Sequence, residues 1–358
     1  MRYGTGAFSQ SEQRQVGKVF IRRVQFFCCV LECLSGYCKY RNQRFSQNWK
    51  GGIGQAARER MELGISTDYE REFVKIEDIE RSIARIAAAG FSHMHWCFEW
   101  DGDYIYAVSE MEQIRGWMEK YSLKAKSLHA SKGSARAEGC ERVRGHYRKD
   151  YTSQLEPNRI AGVELIRNRV ELAHVLGTTE IVLHMYLPYE EFEQNPGYKE
   201  IFYTQVYRSL DELMPFCREK NVRICIENLY EAPGELQLEQ FSRLCERYPK
   251  EFLGLCLDTG HAYLVWGRDF VEKLAVPFRD RIYSVHLHDN RGWGDGPGCG
   301  DAHRIPGDPD FPWKELMPVL RESAYEGALV LEVNMRMGDT AEDFLRRAYD
   351  AGQRLYQL

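Results

Sequence analysis

The sequence contains no run approaching the ~18 uncharged apolar residues that a membrane-spanning helix needs, so no membrane partner is expected. It also lacks a disulfide framework. Its 11 cysteines are odd in number, and those of the main body, such as Cys225 and Cys256, stand singly in apolar segments. Cysteine scaffolds suit small secreted domains; these thiols read as core residues of a protein in a reducing cytoplasm. No secretory signal is legible, because the apolar stretch 24–34 carries Glu32, sits far from the start and has no A-x-A-like exit. Strong charge of either sign is missing as well: the net charge is −5, which gives no general attraction for nucleic acid. The biases of collagen, coiled coils and disordered chains are absent. What remains is globular: 358 residues, 44% hydrophobic, enough for a large core.

The first 60 residues differ from the rest. They hold 11 Lys and Arg against 3 acids, a net +8 that leaves residues 61–358 at −13. Cys28, Cys29, Cys33 and Cys38 lie here, at spacings that match no common zinc finger or ribbon. A basic amphipathic helix is the other specific reading. The plain expectation is a loosely ordered, basic, Cys-containing N-terminal extension (1–60) in front of one catalytic domain (61–358), with Met61 as an alternative natural start.

From Met61 onward, short apolar runs alternate with helical periodicity. Strands are expected at 62–66, 91–97, 124–129, 180–184, 222–227, 253–258, 282–286 and 328–332. Between them, Ile76, Ile79, Ile83 and Ile86 recur at helical spacing before Gly90; Ile166, Val170, Ala173 and Leu176 do so before Gly177. Leu210, Leu213 and Cys217 mark another helix; Phe344, Ala348 and Leu355 mark the last. Eight strand–helix units in about 300 residues predict an α/β fold, a (β/α)8 TIM barrel. An open doubly wound sheet is the rival, but it would place a Gly-rich loop after its first strand; here that strand runs into STDYERE.

Barrel chemistry sits at the C-terminal strand ends. Reading those ends gives His93 and His95, then His129, His184, Glu227, Asp258, His286 and Glu332. His261 follows Asp258 by three residues, and Asp301 and His303 form a D-x-H after the seventh strand. Carboxylates gathered at one barrel mouth are costly to bury unless something compensates their charge. Hard oxygens with imidazoles suit a divalent cation: Mn, Zn, Co or Mg.

These residues carry a resemblance. ICIEN (224–228), CLDTGHAY (256–263), VHLHDN (285–290), GDAHRIPGDPDF (300–311) and LVLEV (329–333) resemble the xylose-isomerase-like TIM-barrel superfamily. That group includes sugar isomerases and 3-epimerases, hydroxypyruvate isomerase, inosose dehydratase and endonuclease IV. The resemblance implies a metal site of Glu227, Asp258, His286 and Glu332, with Glu227 and Glu332 also flanking the substrate as acid–base partners. It implies that His261 binds a substrate oxygen or a second metal. Members with a three-metal cluster add His129, His184, Asp301 and His303, all present here.

The implied reaction is isomerisation or epimerisation of a sugar or sugar phosphate, by proton abstraction beside a carbonyl through a metal-stabilised enediolate. A keto-polyol dehydratase could use the same parts. Around the second strand's exit, His95, Trp96, Glu99 and Trp100 are candidate substrate-binding residues, beside Phe98 and Tyr104; Trp293 and Trp313 read equally as core or as ligand platforms. The alternative is endonuclease IV-like cleavage of abasic DNA. Loop 131–150 holds six basic residues against three acids and could meet a phosphate backbone, a sugar phosphate or only solvent. The acidic barrel disfavours DNA, so the expected partner is a small carbohydrate; self-association stays open.

Overall fold

The computed structural model describes residues 62–70, 76–99, 104–131 and 149–358. The basic extension, Trp100 and most of loop 131–150 lie outside these residues. Eight strands alternate with helices: β1 (Leu63–Ser66), α1 (Ile76–Ala88), β2 (His93–Trp96), α2 (Val108–Tyr121), β3 (Lys124–Ser131), α3 (Glu156–Leu176), β4 (Glu180–Leu183), α4 (Tyr189–Gln194), α5 (Tyr198–Lys220), β5 (Arg223–Glu227), α6 (Gly234–Arg247), β6 (Leu253–Asp258), α7 (Thr259–Trp266), the short α8 (Val276–Phe278), β7 (Ile282–His286), α9 (Trp313–Arg321), β8 (Leu329–Leu331) and α10 (Ala341–Tyr356). All strand pairs are parallel, from β7 through β1 to β8. Just past β7, Leu287 N donates to Val330 O (2.9 Å) and Glu332 N donates to Leu287 O (3.3 Å), which closes the ring as a TIM barrel.

The strands are buried on both faces, but by different partners. Leu and Ile side chains from the sheet pack under the helices in one continuous core. Ile83 and Ile86 of α1 are fully buried in it, as are Phe344, Ala348 and Leu355 of α10. The inner surface carries smaller groups: Val182, Cys225 and Cys256 form a separate cluster. At Gly64 a Cβ would lie 3.3 Å from both His93 and Val330 side chains. Gly90 and Gly177 end α1 and α3 at φ of +102° and +76°, conformations that cost glycine no steric strain.

One end of the barrel is closed by charge. Lys126 Nζ bonds Glu180 and donates to Tyr283 O (3.2 Å), and the ammonium sits 4.9 Å from the Tyr325 ring centre. His93, read from sequence as a mouth residue, stands at this opposite end, at the first position of β2 beside Lys124, with Nδ1 2.9 Å from Ser92 Oγ. Period-two alternation puts His93 and His95 on the same face but one pleat apart, and only the latter reaches the other end. All six cysteines among the described residues are free thiols. No helix among those residues is long and apolar enough to cross a membrane.

Candidate active site

Each inward side chain at the C-terminal rim is delivered by the end of a different strand. Glu227 ends β5, Asp258 ends β6, His286 ends β7 and Glu332 follows β8. Donor atoms of these four lie within 4.8 Å of one another, and all four residues are buried. Asp258 also caps α7, accepting from His261 N at 2.7 Å, which turns the chain so that His261 faces the mouth as well. The cavity above them is about 210 Å³. That is below the roughly 300–1,000 Å³ of pockets for drug-sized ligands and on the scale of one sugar.

Two further groups flank this centre. His129 Nε2 lies 3.2 Å from Glu332 Oε1, and His184 Nε2 lies 3.2 Å from Glu227 Oε2. His261 Nδ1 lies 3.2 Å from Glu227 Oε1, and its Nε2 is 3.4 Å from Asp301 Oδ1; His303 Nε2 is 3.2 Å from Asp301. His129, His184 and Glu227 form one potential donor set, and His261, His288, Asp301 and His303 another.

The central residues fit a divalent cation. His286 Nδ1 lies 3.1 Å from Glu332 Oε2 and 3.4 Å from Glu227 Oε2. Even so, both His286 ring nitrogens are buried without a hydrogen-bond partner. Three buried carboxylates that converge on one imidazole, whose ring nitrogens are left unsatisfied, are a donor set for a cation. Electrostatics agree. Burial works against the Glu227 charge, but His184 and His286 hold its pKa well below the usual range. Burial likewise opposes ionisation of Glu332, and His286, His129 and His303 overcome it.

The imidazoles respond in the opposite sense. Burial disfavours the charged form of His261, yet Asp258, Asp301 and Glu227 raise its pKa well above the ordinary value. His286 is raised by Cys256, Glu332 and Glu227 against its burial. His303 is raised to about 9 by Asp301 and Glu332, again against burial. A cation bound by these imidazoles would have to displace protons. Affinity for Co²⁺, measured by chelator competition, should rise from roughly pH 6 towards 9 and then level; a flat profile would mean these imidazoles are not ligands.

Among the described residues, the substrate-binding candidates His95, Trp96 and Glu99 do not line the cavity. Trp96 is a core residue, 2% exposed, with Nε1 donating to Tyr106 Oη (3.0 Å) and its ring against Phe98. His95 is fully buried beneath the site, with Nδ1 2.7 Å from Ser127 Oγ and its ring against His129 and His286. Glu99 is exposed at φ +55°, in a loop tied down where Arg169 donates to the Glu99 and Tyr104 carbonyls (2.9 Å each). The W-x-F alternation points side chains outward into the helix layer, so aromatic content there reflects packing. Trp313 is core as well, stacked on Phe311.

Sequence reading passed over other residues. Asp68, two residues past β1, faces this end; burial first, then Glu332, raises its pKa. Tyr186, Tyr230 and Glu231 line the cavity from the loops after β4 and β5. His288 is the most telling. Its Nε2 lies 3.0 Å from both Asp258 oxygens, and its ring stacks on His303 at 4.2 Å. A Cβ on Gly260 would meet the His288 ring at 2.0 Å, so glycine there makes room for it. The H-x-H spacing of VHLHDN was the available signal, since both histidines share one strand face.

The sequence profile of the xylose isomerase-like TIM barrel family matches residues 83–352. The chain belongs to that family. This family member is 30% identical over 290 residues to the uncharacterized protein y4fM of Sinorhizobium fredii, spanning 79% of this chain and 90% of that one. An inosose dehydratase of Clostridium tetani is 27% identical over 153 residues, 39% of this chain and 50% of that one. In three dimensions a D-tagatose 3-epimerase-like protein matches with a TM-score of 0.57 and 22% identity, over 83% of this chain and 96% of that one; at that identity the likeness is one of fold.

His288 invites a test at this candidate site. His288→Phe keeps the ring and loses the donor to Asp258. It should weaken divalent-cation binding about 10–100-fold, the usual scale for a group that orients a ligand, measured by titration calorimetry, and His288→Gln should recover part of it. Equal affinities in all three proteins would leave His288 a packing residue.

Proposed function

We propose that this protein is a divalent-metal-dependent sugar isomerase or epimerase that moves a proton on the carbon beside a carbonyl. The observation that carries this reading is the pair Glu227 and Glu332. They come from the fifth and eighth strands, both border the single-sugar cavity, and both are held ionised against their burial. One carboxylate takes the proton from one face of the substrate carbon and the other returns it from the opposite face. His129 and His184 each hold one of the two carboxylates in place. His261, fixed between Glu227 and Asp301, presents a ring nitrogen to a substrate oxygen. A cation held by Glu227, Asp258, His286 and Glu332 would supply Lewis-acid stabilisation of charge developing on the substrate oxygens. The same carboxylates could instead assist loss of a β-hydroxyl, a dehydratase outcome in keeping with the inosose dehydratase relative.

A second reading has its own support. The His129–His184–Glu227 and His261–His288–Asp301–His303 sets would suit further cations and phosphodiester cleavage by a multi-metal site. The deciding experiment loads the protein with Mn²⁺, Co²⁺ or Mg²⁺ and follows solvent deuterium into a panel of ketoses and keto-polyols, with an abasic duplex assayed in parallel. Exchange into a sugar, abolished by chelation, supports the proposal. Efficient nicking without exchange, or full exchange after exhaustive chelation, defeats it.

A further inference from the structure

Trp293 stands apart among the large apolar side chains because it is 64% exposed yet held in place. Its Nε1 donates to Leu264 O at 3.0 Å, and its ring packs edge-on against Tyr230, with centroids 5.8 Å apart. Tyr230 in turn lies 5.1 Å from the His261 ring and lines the cavity. The loop bearing Trp293 is pinned as well: Gly292 N donates to Asn290 Oδ1 (2.9 Å), and Arg291 N donates to Gly298 O (2.8 Å). A rigid indole thus continues the cavity wall outward into solvent, where a solitary tryptophan loses the gain from burial.

An anchored aromatic face at the rim of a polar cavity is the chemistry that recognises a sugar ring, whose C–H groups pack on the indole. The cavity itself, about 210 Å³, has room for one ring only. We infer that Trp293 forms a second sugar subsite outside the cavity, joined to it through Tyr230 at the rim, and that the substrate is a keto sugar carrying a further pyranose ring. This rests on the cavity being a keto-sugar site, as proposed above. The exposed indole is then covered when substrate binds, which accounts for its being anchored at the rim.

The test uses the full chain loaded with Mg²⁺ and compares D-fructose with three glycosylated ketoses: lactulose, turanose and isomaltulose. Binding is read by saturation-transfer NMR and competition, which need no turnover. At least one disaccharide should bind about tenfold or more tighter than fructose, with saturation on its second ring. Trp293→Ala should cut that advantage roughly 5- to 20-fold, the scale of one aromatic contact with its buried area; Trp293→Phe should retain most of it. Disaccharides that bind no better than fructose, or an advantage untouched by Trp293→Ala, overturn the subsite. Deuterium exchange in the same samples separates the two ideas. A Trp293-dependent advantage without exchange into any sugar keeps the subsite and removes the isomerase chemistry. Exchange with fructose but no Trp293-dependent preference does the reverse.

Discussion

Replacing Glu332 or Glu227 with glutamine is expected to lower turnover by roughly 10²–10⁴-fold or more, the scale of a lost acid–base group. Glutamine keeps nearly the same volume but can neither take the proton nor carry the charge. The loss should fall on kcat more than on KM, because these groups act chiefly in the transition state. Both glutamates also face the candidate cation site, so metal content must be measured in every variant. Asp258→Asn provides the control: it should bind metal more weakly, and excess metal should recover part of its rate. Saturating metal should recover little in Glu227→Gln or Glu332→Gln. Rescue of either glutamate variant to near wild-type turnover would make that residue a ligand only and remove the two-carboxylate mechanism.

The second large effect lies at the other end of the barrel and concerns stability. Lys126 and Glu180 are each 9% exposed at the side chain. Burial raises the Glu180 pKa, with Lys126 and Arg223 pulling it back down. Lys126→Met leaves a buried carboxylate without its cation and should cost about 3–5 kcal/mol in urea unfolding near neutral pH. The sign of the pH dependence follows from the raised pKa. The neutral acid is the cheaper buried form, so the cost should shrink as pH falls and Glu180 takes up a proton. Replacing both partners with apolar residues should recover most of the loss, since the orphaned charge is then gone. A single variant as stable as the wild type at neutral pH would mean that water reaches Glu180.

These two ends of one barrel show what was legible beforehand. Most strand positions follow from apolar runs, because a parallel strand covered on both faces has little room for alternating charge; β3, KAKSLHAS, is the exception, with Lys126 at the barrel's charged end. The helices α1 and α3 were bounded by Gly90 and Gly177, each at positive φ. The rim acids and histidines were legible too, since each interrupts an apolar run where the strand leaves the core. Trp96 and His93 were misplaced for different reasons. The sequence does not mark which side of the pleat faces the barrel interior, which decides Trp96, nor at which end of a short strand an inward residue stands, which decides His93. For β2 the register shift against β3 between Met94 and His95 adds a further irregularity.

By itself, then, the sequence determined the barrel, its order of strands and helices, and the residue types that ring its mouth, because burial pattern and strand-end chemistry are local properties. Only the tertiary structure decided which of those residues meet. Glu332 and His129 are 203 positions apart, yet 3.2 Å apart in space, through a ring closure that no local pattern encodes. The same closure brought in His288, Asp68 and Glu231, and sent Trp96 into the core. Whether a side chain becomes a ligand, a support or packing depends on the direction and neighbours that pleat, bulge and loop give it in three dimensions.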